Sequence, residues 1–320
     1  MNITIIGAGL MGHGLALVFA RAGYAVTITD PVPQALETVQ DRIAATLRSL
    51  NHDERAVQHV TIAASIAEAV AQANLVIEAA PEKLELKQSI FAELERAAPA
   101  DAILASNTSV IPITQIAQHL STRHRVLGTH WWNPPYLVPL VEVIQTAHTA
   151  PEVVAHVIAL LADLGKTPVH VKKDVPGFVG NRLQHALWRE AIALVADGVC
   201  DAETVDLVVK SSFGRRLAVL GPLENADLVG TDLILDIHNV LLPHLDRATE
   251  PNPYLKALVR EGKLGFKSDT GFKNWTDTGK AALRAAVLEH LQTLNELLGS
   301  QGGQNANPLD HQPPPPAEDR

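Results

Sequence analysis

A glycine pattern set between a short apolar strand and a helix constrains this chain more than any other feature. Residues 1–6 read as a buried strand, Gly7-Ala8-Gly9-Leu10-Met11-Gly12 follows at once, and residues 12–22 read as a helix. In G-x-G-x-x-G the first glycine permits a tight turn, the second lets the backbone approach a pyrophosphate, and the third packs helix on strand. The helix N-terminus then offers free N–H groups to the phosphates. A second strand, residues 25–29, ends at Asp30, the position from which a carboxylate hydrogen-bonds an adenosine ribose. Glycines alone are a weak sign, but strand, glycines, helix, strand and terminal acid in this order are specific. Pro31, Val32 and Pro33 follow, with no arginine to accept a 2′-phosphate. The pattern therefore favours NAD over NADP, bound through Gly7, Gly9, Leu10, Met11, Gly12 and Asp30. The plainer alternative for Asp30 is a helix cap or a turn residue.

Strand and helix signals continue to alternate as far as about residue 172. Residues 75–78, 102–105 and 167–171 read as strands, and residues 83–97 and 151–164 as helices. Such alternation predicts a doubly wound, mostly parallel α/β sheet. Lys172-Lys173-Asp174 reads as a hinge, and beyond it helices are expected over 177–198, 202–210, 226–242, 254–261 and 281–298. Leu183, Leu187, Ala191 and Leu194 recur at helical spacing and mark a buried face. The expected organisation is a dinucleotide-binding domain over 1–172, an all-helical domain over 173–299, and a tail over 300–320. That tail, rich in Gln, Gly, Asn and Pro, has nothing to bury and is expected to be disordered.

A carboxylate inside an apolar strand marks the candidate chemistry. In residues 138–144, period-two alternation puts Val138, Leu140, Glu142 and Ile144 on one face. A lone carboxylate among aliphatic side chains is costly unless paired. His130, after the strand-like run 125–129, is the nearest partner, and a His oriented by a buried carboxylate is a general acid/base pair. The alternative is a solvated edge strand with a structural His.

Composition limits the partners. A net charge of −9 without dense basic runs argues against nucleic acid and anionic membranes. Cys200 is the sole cysteine, which excludes internal disulfides and a cysteine metal site and suits a reducing cytoplasm. The apolar start lacks a basic n-region, and no segment is long and apolar enough to span a membrane. No metal site is expected.

Together GAGLMG at 7–12, VIEAAPE at 76–82, SNTS at 106–109, GTHWWNP at 128–134, LVEV at 140–143, PGFVGNR at 176–182 and GPLENADLVGTD at 221–232 resemble the NAD-dependent L-3-hydroxyacyl-CoA dehydrogenase family over nearly the whole chain. The resemblance implies a Rossmann-like domain followed by a helical domain that makes most of a homodimer interface. It implies His130 as catalytic acid/base and Glu142 as its orienting partner. Ser109 and Asn181 would bond the reacting oxygen, and Glu82 and Lys87 would line the nicotinamide end of the cofactor site. Each has a plainer alternative: a turn cap for Ser109, a polar helix face for Asn181, a solvated lysine for Lys87, an acid near a helix start for Glu82.

The departures point to the substrate. Trp131 and Trp132 stand where Phe-Phe is common, and Pro135 adds a second proline. The segment 31–60 is short, carries only Arg42, Arg48 and Arg55, and no lysine precedes Lys83. Family members using CoA thioesters carry lysines there, so the HW-x-NPP run resembles instead a branch acting on small non-CoA molecules. Three rivals remain: a β-hydroxyacid dehydrogenase, opposed by the absence of lysine between Val175 and Gln184; a crystallin-like, non-catalytic protein, opposed by His130 and Glu142; and an enzyme oxidising an aldehyde through its hydrate.

Overall fold

The computed structural model describes residues 1–301. Eight strands form one sheet: β1 (Asn2–Ile6), β2 (Ala25–Thr29), β3 (Val60–Ile62), β4 (Leu75–Glu78), β5 (Ile103–Ser106), β6 (Val126–Trp131), β7 (Leu140–Ile144) and β8 (Thr167–Val171). Their order is β3-β2-β1-β4-β5-β6-β7-β8. Pairings from β3 to β6 are parallel, β6 and β7 are antiparallel, and β7 and β8 are parallel. The winding reverses between β1 and β4, and ligands of such sheets bind beyond the carboxyl ends of the strands at that point. The segments that leave the carboxyl ends of β1, β4, β5 and β6 therefore share one edge of the sheet.

Apolar side chains bury both faces. One core gathers Ile3, Ile5, Leu15, Phe19, Ile28 and Leu47; the other gathers Val76, Phe91, Leu94, Leu104, Ile113 and Phe178. Strands covered on both faces read as continuous apolar runs, which is why β1 and β4 show no alternation.

The boundaries differ from the sequence reading for identifiable reasons. β3, three residues long, gave no periodic signal. β6 runs through Trp131, so His130 lies within it and not beyond its end. β7 begins at Leu140, after Pro139, which has no N–H for a ladder. The helix expected from residue 177 starts at Gly180, because Gly177 (φ 74°) and Phe178 (φ 49°) are left-handed. The helix expected over 226–242 is two, Pro222–Val229 and Thr231–Leu241, separated by Gly230 at φ 105°.

The chain falls into two compact units. Met1–Asn181, with the last helix from Leu291, forms the first; Asn295 Nδ2 donates to the Leu137 carbonyl at 2.8 Å within it. Asp174, expected in a hinge, accepts from the backbone of Ile113 (3.0 Å) and Thr114 (2.6 Å). Arg182–His290 forms the second unit and is helical, with caps such as Asp201 accepting from the Thr204 N–H at 2.7 Å. The last helix is Asp277–Gln301; the remainder of the expected tail, 302–320, lies outside the described residues. No helix among the described residues is long and apolar enough to cross a membrane.

Candidate active site

The glycine loop has the shape a dinucleotide requires. Gly7 sits at φ 105°, and a Cβ there would lie 2.8 Å from the Ala79 carbonyl oxygen. A Cβ on Gly12 would lie 1.8 Å from the Gly7 carbonyl oxygen, so helix Leu10–Arg21 can approach the loop this closely only with glycine. At Gly9 nothing lies within 4 Å of a Cβ, leaving the backbone open to a ligand. Gly9 caps the helix without a side-chain bond, so its first N–H groups remain available to phosphate. Asp30 accepts from the N–H of Ala8 (2.7 Å) and of Val32 (2.8 Å), which ties the end of β2 to the loop. These residues fit an adenine dinucleotide.

One arginine does reach this loop. Arg42 Nη2 donates to the carbonyls of Ala8 (2.7 Å) and Ala35 (2.8 Å). Ala8 is thus held at its N–H by Asp30 and at its carbonyl by Arg42. Reading only the residues next to Asp30 missed this contact, which the fold makes across thirty-four positions.

His130 and Glu142 are direct cross-strand partners in the antiparallel β6–β7 pair. His130 Nδ1 lies 2.7 Å from Glu142 Oε2, and both side chains are buried. The second oxygen, Oε1, accepts from the N–H groups of Val179 (2.9 Å) and Gly180 (3.0 Å). The left-handed turn at Gly177 and Phe178 thus delays the helix and aims two donors at the carboxylate. Burial pushes the Glu142 carboxyl upward, but the bonds from His130, Gly180 and Val179 outweigh it and hold it below the ordinary value. An ionised carboxylate only accepts, so His130 Nδ1 is the donor. Nε2 then carries the free lone pair of the neutral ring.

His130 shares a cavity of about 370 Å³ with Ser109, Asn181, Glu82, Leu10 and Met11, walled by Trp131 and Trp132. Asn181 Nδ2 donates to the Ser109 carbonyl at 2.8 Å, so a β5 loop and a helix start are joined here. Glu82 Oε1 accepts from Thr108 Oγ1 (2.5 Å) and from the N–H groups of Ser109 and Val110 (both 3.0 Å). Burial raises the Glu82 carboxyl, yet Thr108, Val110, the Lys87 charge and Ser109 together leave it below its usual value. Lys87 is not a solvated helix lysine. It is 1% exposed and outside the cavity lining, with Nζ 2.7 Å from Glu78 Oε1.

Three participants went unread in the sequence. Glu78, wholly buried at the end of β4, also accepts from Ser106 Oγ at 2.6 Å. Its signal was an acid within an apolar strand, as in β7. Asn107 accepts the Trp131 N–H at 2.9 Å and ties β5 to β6 beside the cavity. Gly180 admits the Trp132 ring, since a Cβ there would lie 2.4 Å from Trp132 Cζ2.

The molecule's relatives are dehydrogenases. Residues 2–175 match the 3-hydroxyacyl-CoA dehydrogenase NAD-binding domain, and residues 177–275 match the C-terminal domain of the same family. The 5-formyl-3-hydroxy-2-methylpyridine 4-carboxylate 5-dehydrogenase of Mesorhizobium japonicum is 37% identical over 307 residues, 93% of this chain and 98% of that protein. A probable 3-hydroxybutyryl-CoA dehydrogenase of Bacillus subtilis is 38% identical over 285 residues, 86% of this chain and 98% of that one. The crystal structure of an NAD+-dependent dismutase, a dehydrogenase of the same pyridine carboxylic acid, superposes with a TM-score of 0.86 at 36% identity, covering 93% of this chain and 98% of that one. With both domains matched in order around a dinucleotide loop, the chain belongs to the 3-hydroxyacyl-CoA dehydrogenase family of NAD-dependent oxidoreductases.

Proposed function

We propose that the chain catalyses reversible, NAD-linked oxidation of a hydroxyl β to a carboxyl or acyl group, and that its preferred substrate is a small molecule without CoA. The observation that carries the reaction is His130, held by Glu142, opening on the cavity that contains Ser109 and Asn181. His130 Nε2 takes the hydroxyl proton while the carbinol carbon gives up its hydride. The bound nicotinamide supplies the hydride acceptor. Glu142 fixes the tautomer of the neutral imidazole and stabilises the imidazolium that forms, as its two backbone donors stop it from turning away. Ser109 Oγ, which has no partner among the described residues, and the remaining amide N–H of Asn181 would hold the reacting oxygen. In the reverse direction His130 returns the proton to that oxygen.

The preference for a small substrate rests on charge. The three arginines of segment 31–60 are already engaged: Arg42 with two carbonyls, Arg48 with Glu54 at 2.7 Å, and Arg55 with Asp53 at 2.6 Å. With no lysine before Lys83, that segment offers little to neutralise CoA phosphates. The Mesorhizobium relative's name also describes a substrate without CoA. It favours a second reading, in which His130 takes the proton of an aldehyde hydrate and the product is a carboxylic acid.

A panel of acetoacetyl-CoA, short free 3-hydroxy acids and aldehyde-bearing aromatic acids tests the reading. Better kcat/KM on a free acid or aldehyde is expected. Robust acetoacetyl-CoA reduction with a micromolar KM would overturn the small-substrate preference and restore a role in fatty-acid metabolism. The same reading makes the protein a cytoplasmic homodimer built on the helical unit, where Leu183 and Leu187, expected on a buried face, are exposed together with Trp188, Leu207, Leu228 and Val240. Light scattering at micromolar concentration is expected to give twice the chain mass; an active monomer would contradict it.

A further inference from the structure

The cavity beside His130 has one wall that the proton transfer does not use. Trp132, directly after β6, lines the same space as His130, Ser109 and Asn181. Its ring centre lies 5.3 Å from that of His130, at a tilt of 52°. Its benzo edge rests on Gly180, where a Cβ would lie 2.4 Å from Cζ2. The indole therefore fits only because residue 180 has no side chain. Its Nε1 is buried and makes no hydrogen bond among the described residues. A buried donor left unmet is costly, so what Trp132 supplies here is bulk. Trp131 differs, with its ring in the core, 6.0 Å from that of Phe19. The turn that follows is fixed as well. Asn295 donates to the Leu137 carbonyl at 2.8 Å, and Lys166 to the Val138 carbonyl at 3.2 Å.

We infer that Trp132, seated on Gly180, sets the length of substrate the enzyme accepts: its indole closes the cavity beside His130 to an extended acyl chain and reserves it for compact acids. The inference rests on the reaction proposed at His130 and deepens the small-substrate reading, by shape where that reading used charge. A volume of about 370 Å³ is near the lower end of the about 300–1,000 Å³ usual for ligand pockets. Leu10 and Met11, at the glycine loop, line it too, so the substrate shares this space with the nicotinamide. A rigid indole beside His130 then leaves room for few atoms beyond the reacting carbon. A smaller side chain there lengthens the pocket and leaves the reacting groups in place.

The test measures kcat/KM of the full-length wild type, Trp132→Phe and Trp132→Ala on free 3-hydroxybutyrate, 3-hydroxyhexanoate and 3-hydroxyoctanoate. Dissociation constants of the same acids for the NADH complex, followed by fluorescence, give the length profile without turnover. Wild type is expected to favour the shortest acid over the longest by about tenfold or more, the scale on which a pocket rejects surplus methylenes. Trp132→Ala is expected to raise the long-to-short ratio about tenfold or more, with Trp132→Phe between the two. Gly180→Ala drives the ring into the cavity, so it should lower kcat/KM about tenfold even on 3-hydroxybutyrate. Trp132→Phe should recover most of that loss, because two residues in contact are not additive. A length profile unchanged in Trp132→Ala, by rate and by binding, would overturn the inference. Equal losses at every length with a lower melting temperature would overturn it too, leaving the ring as a structural support. An equal effect of Gly180→Ala in both backgrounds would overturn the seating on which it stands. Robust acetoacetyl-CoA turnover with the expected length profile would sink the small-substrate reading alone and keep Trp132 as the limit on the acyl chain.

Discussion

The glycine loop after β1 and the acid/base pair on β6 and β7 use the same sheet in opposite ways. At the loop, recognition is made by backbone: Gly9 leaves open space, Gly12 lets a helix start against Gly7, and the side chains of Asp30 and Arg42 serve to hold Ala8 still. At the pair, chemistry is made by side chains, and the backbone of Val179 and Gly180 does the holding. The glycines of the loop are contiguous in sequence, although Asp30 and Arg42 reach Ala8 from 22 and 34 positions away. The pair needs an antiparallel register that sets residue 130 against residue 142, and then a turn from a third segment. A change at the pair is therefore expected to stop turnover and spare the cofactor, and a change near the loop to do the reverse.

The largest expected effect tests the pair. His130→Gln should lower kcat about 10²–10⁴-fold, the usual range for lost general acid/base catalysis. NADH affinity should remain near wild type, because His130 acts on the substrate proton. Glu142→Gln should be similarly impaired, since an amide can no longer serve as an ionised acceptor for both His130 and the two N–H groups. Steady-state kinetics beside NADH titration check both. Wild-type rates in His130→Gln would remove the pair from the mechanism, and in Glu142→Gln would leave the carboxylate with a structural role only.

The next effect tests the loop. Wild type is expected to prefer NADH to NADPH by about tenfold or more, at least about 1.4 kcal/mol. Asp30→Ser should narrow that ratio, because it removes the carboxylate that accepts from a ribose hydroxyl and repels a 2′-phosphate. Its kcat at saturating cofactor should be close to wild type. Equal affinity of the wild type for both dinucleotides would sink the assignment of Asp30.

How much of this was legible in the sequence follows the same division. The strand-loop-helix-strand start and Asp30 could be read from the sequence, because they follow one another in a fixed order within the first thirty residues. His130 and Glu142 could be paired because an acid in an apolar strand demands a partner. Glu78 made the same demand and was passed over, although Lys87, nine residues on, is its answer. Arg42 and Asn107 could not have been placed, since only the winding of the sheet brings them to Ala8 and Trp131. The delayed start of the helix at Gly180 was equally out of reach. It depends on a left-handed Phe178, a conformation that no composition signal favours.

The smallest expected effect concerns the strand end that carries the two tryptophans, and it sets the pair's surroundings apart from the loop's. Lys166, just before β8, donates to the carbonyls of Pro135 and Val138 and lies 5.5 Å from the Trp131 ring centre. It clasps the turn that follows β6. Burial, and then the charge of Arg21, pull its ammonium down from 10.5 to about 8. A folded value below the unfolded one means that the folded chain releases this proton first. Between pH 8 and 10.5 the unfolded chain holds more protons, so stability attributable to Lys166 rises with pH in that window and is level below it. Thermal melts of wild type and Lys166→Met at pH 7.5 and pH 10 isolate the contribution. The wild type should gain on the variant by about 1–2 kcal/mol, less than the full shift implies because partial exposure screens the charge. A gap that stays constant or narrows as pH rises would show that the two carbonyls and Trp131 stabilise the ammonium enough to cancel its burial. NADH affinity should be the same in both proteins at either pH, since Lys166 donates to the carbonyls of Pro135 and Val138 and not to the glycine loop.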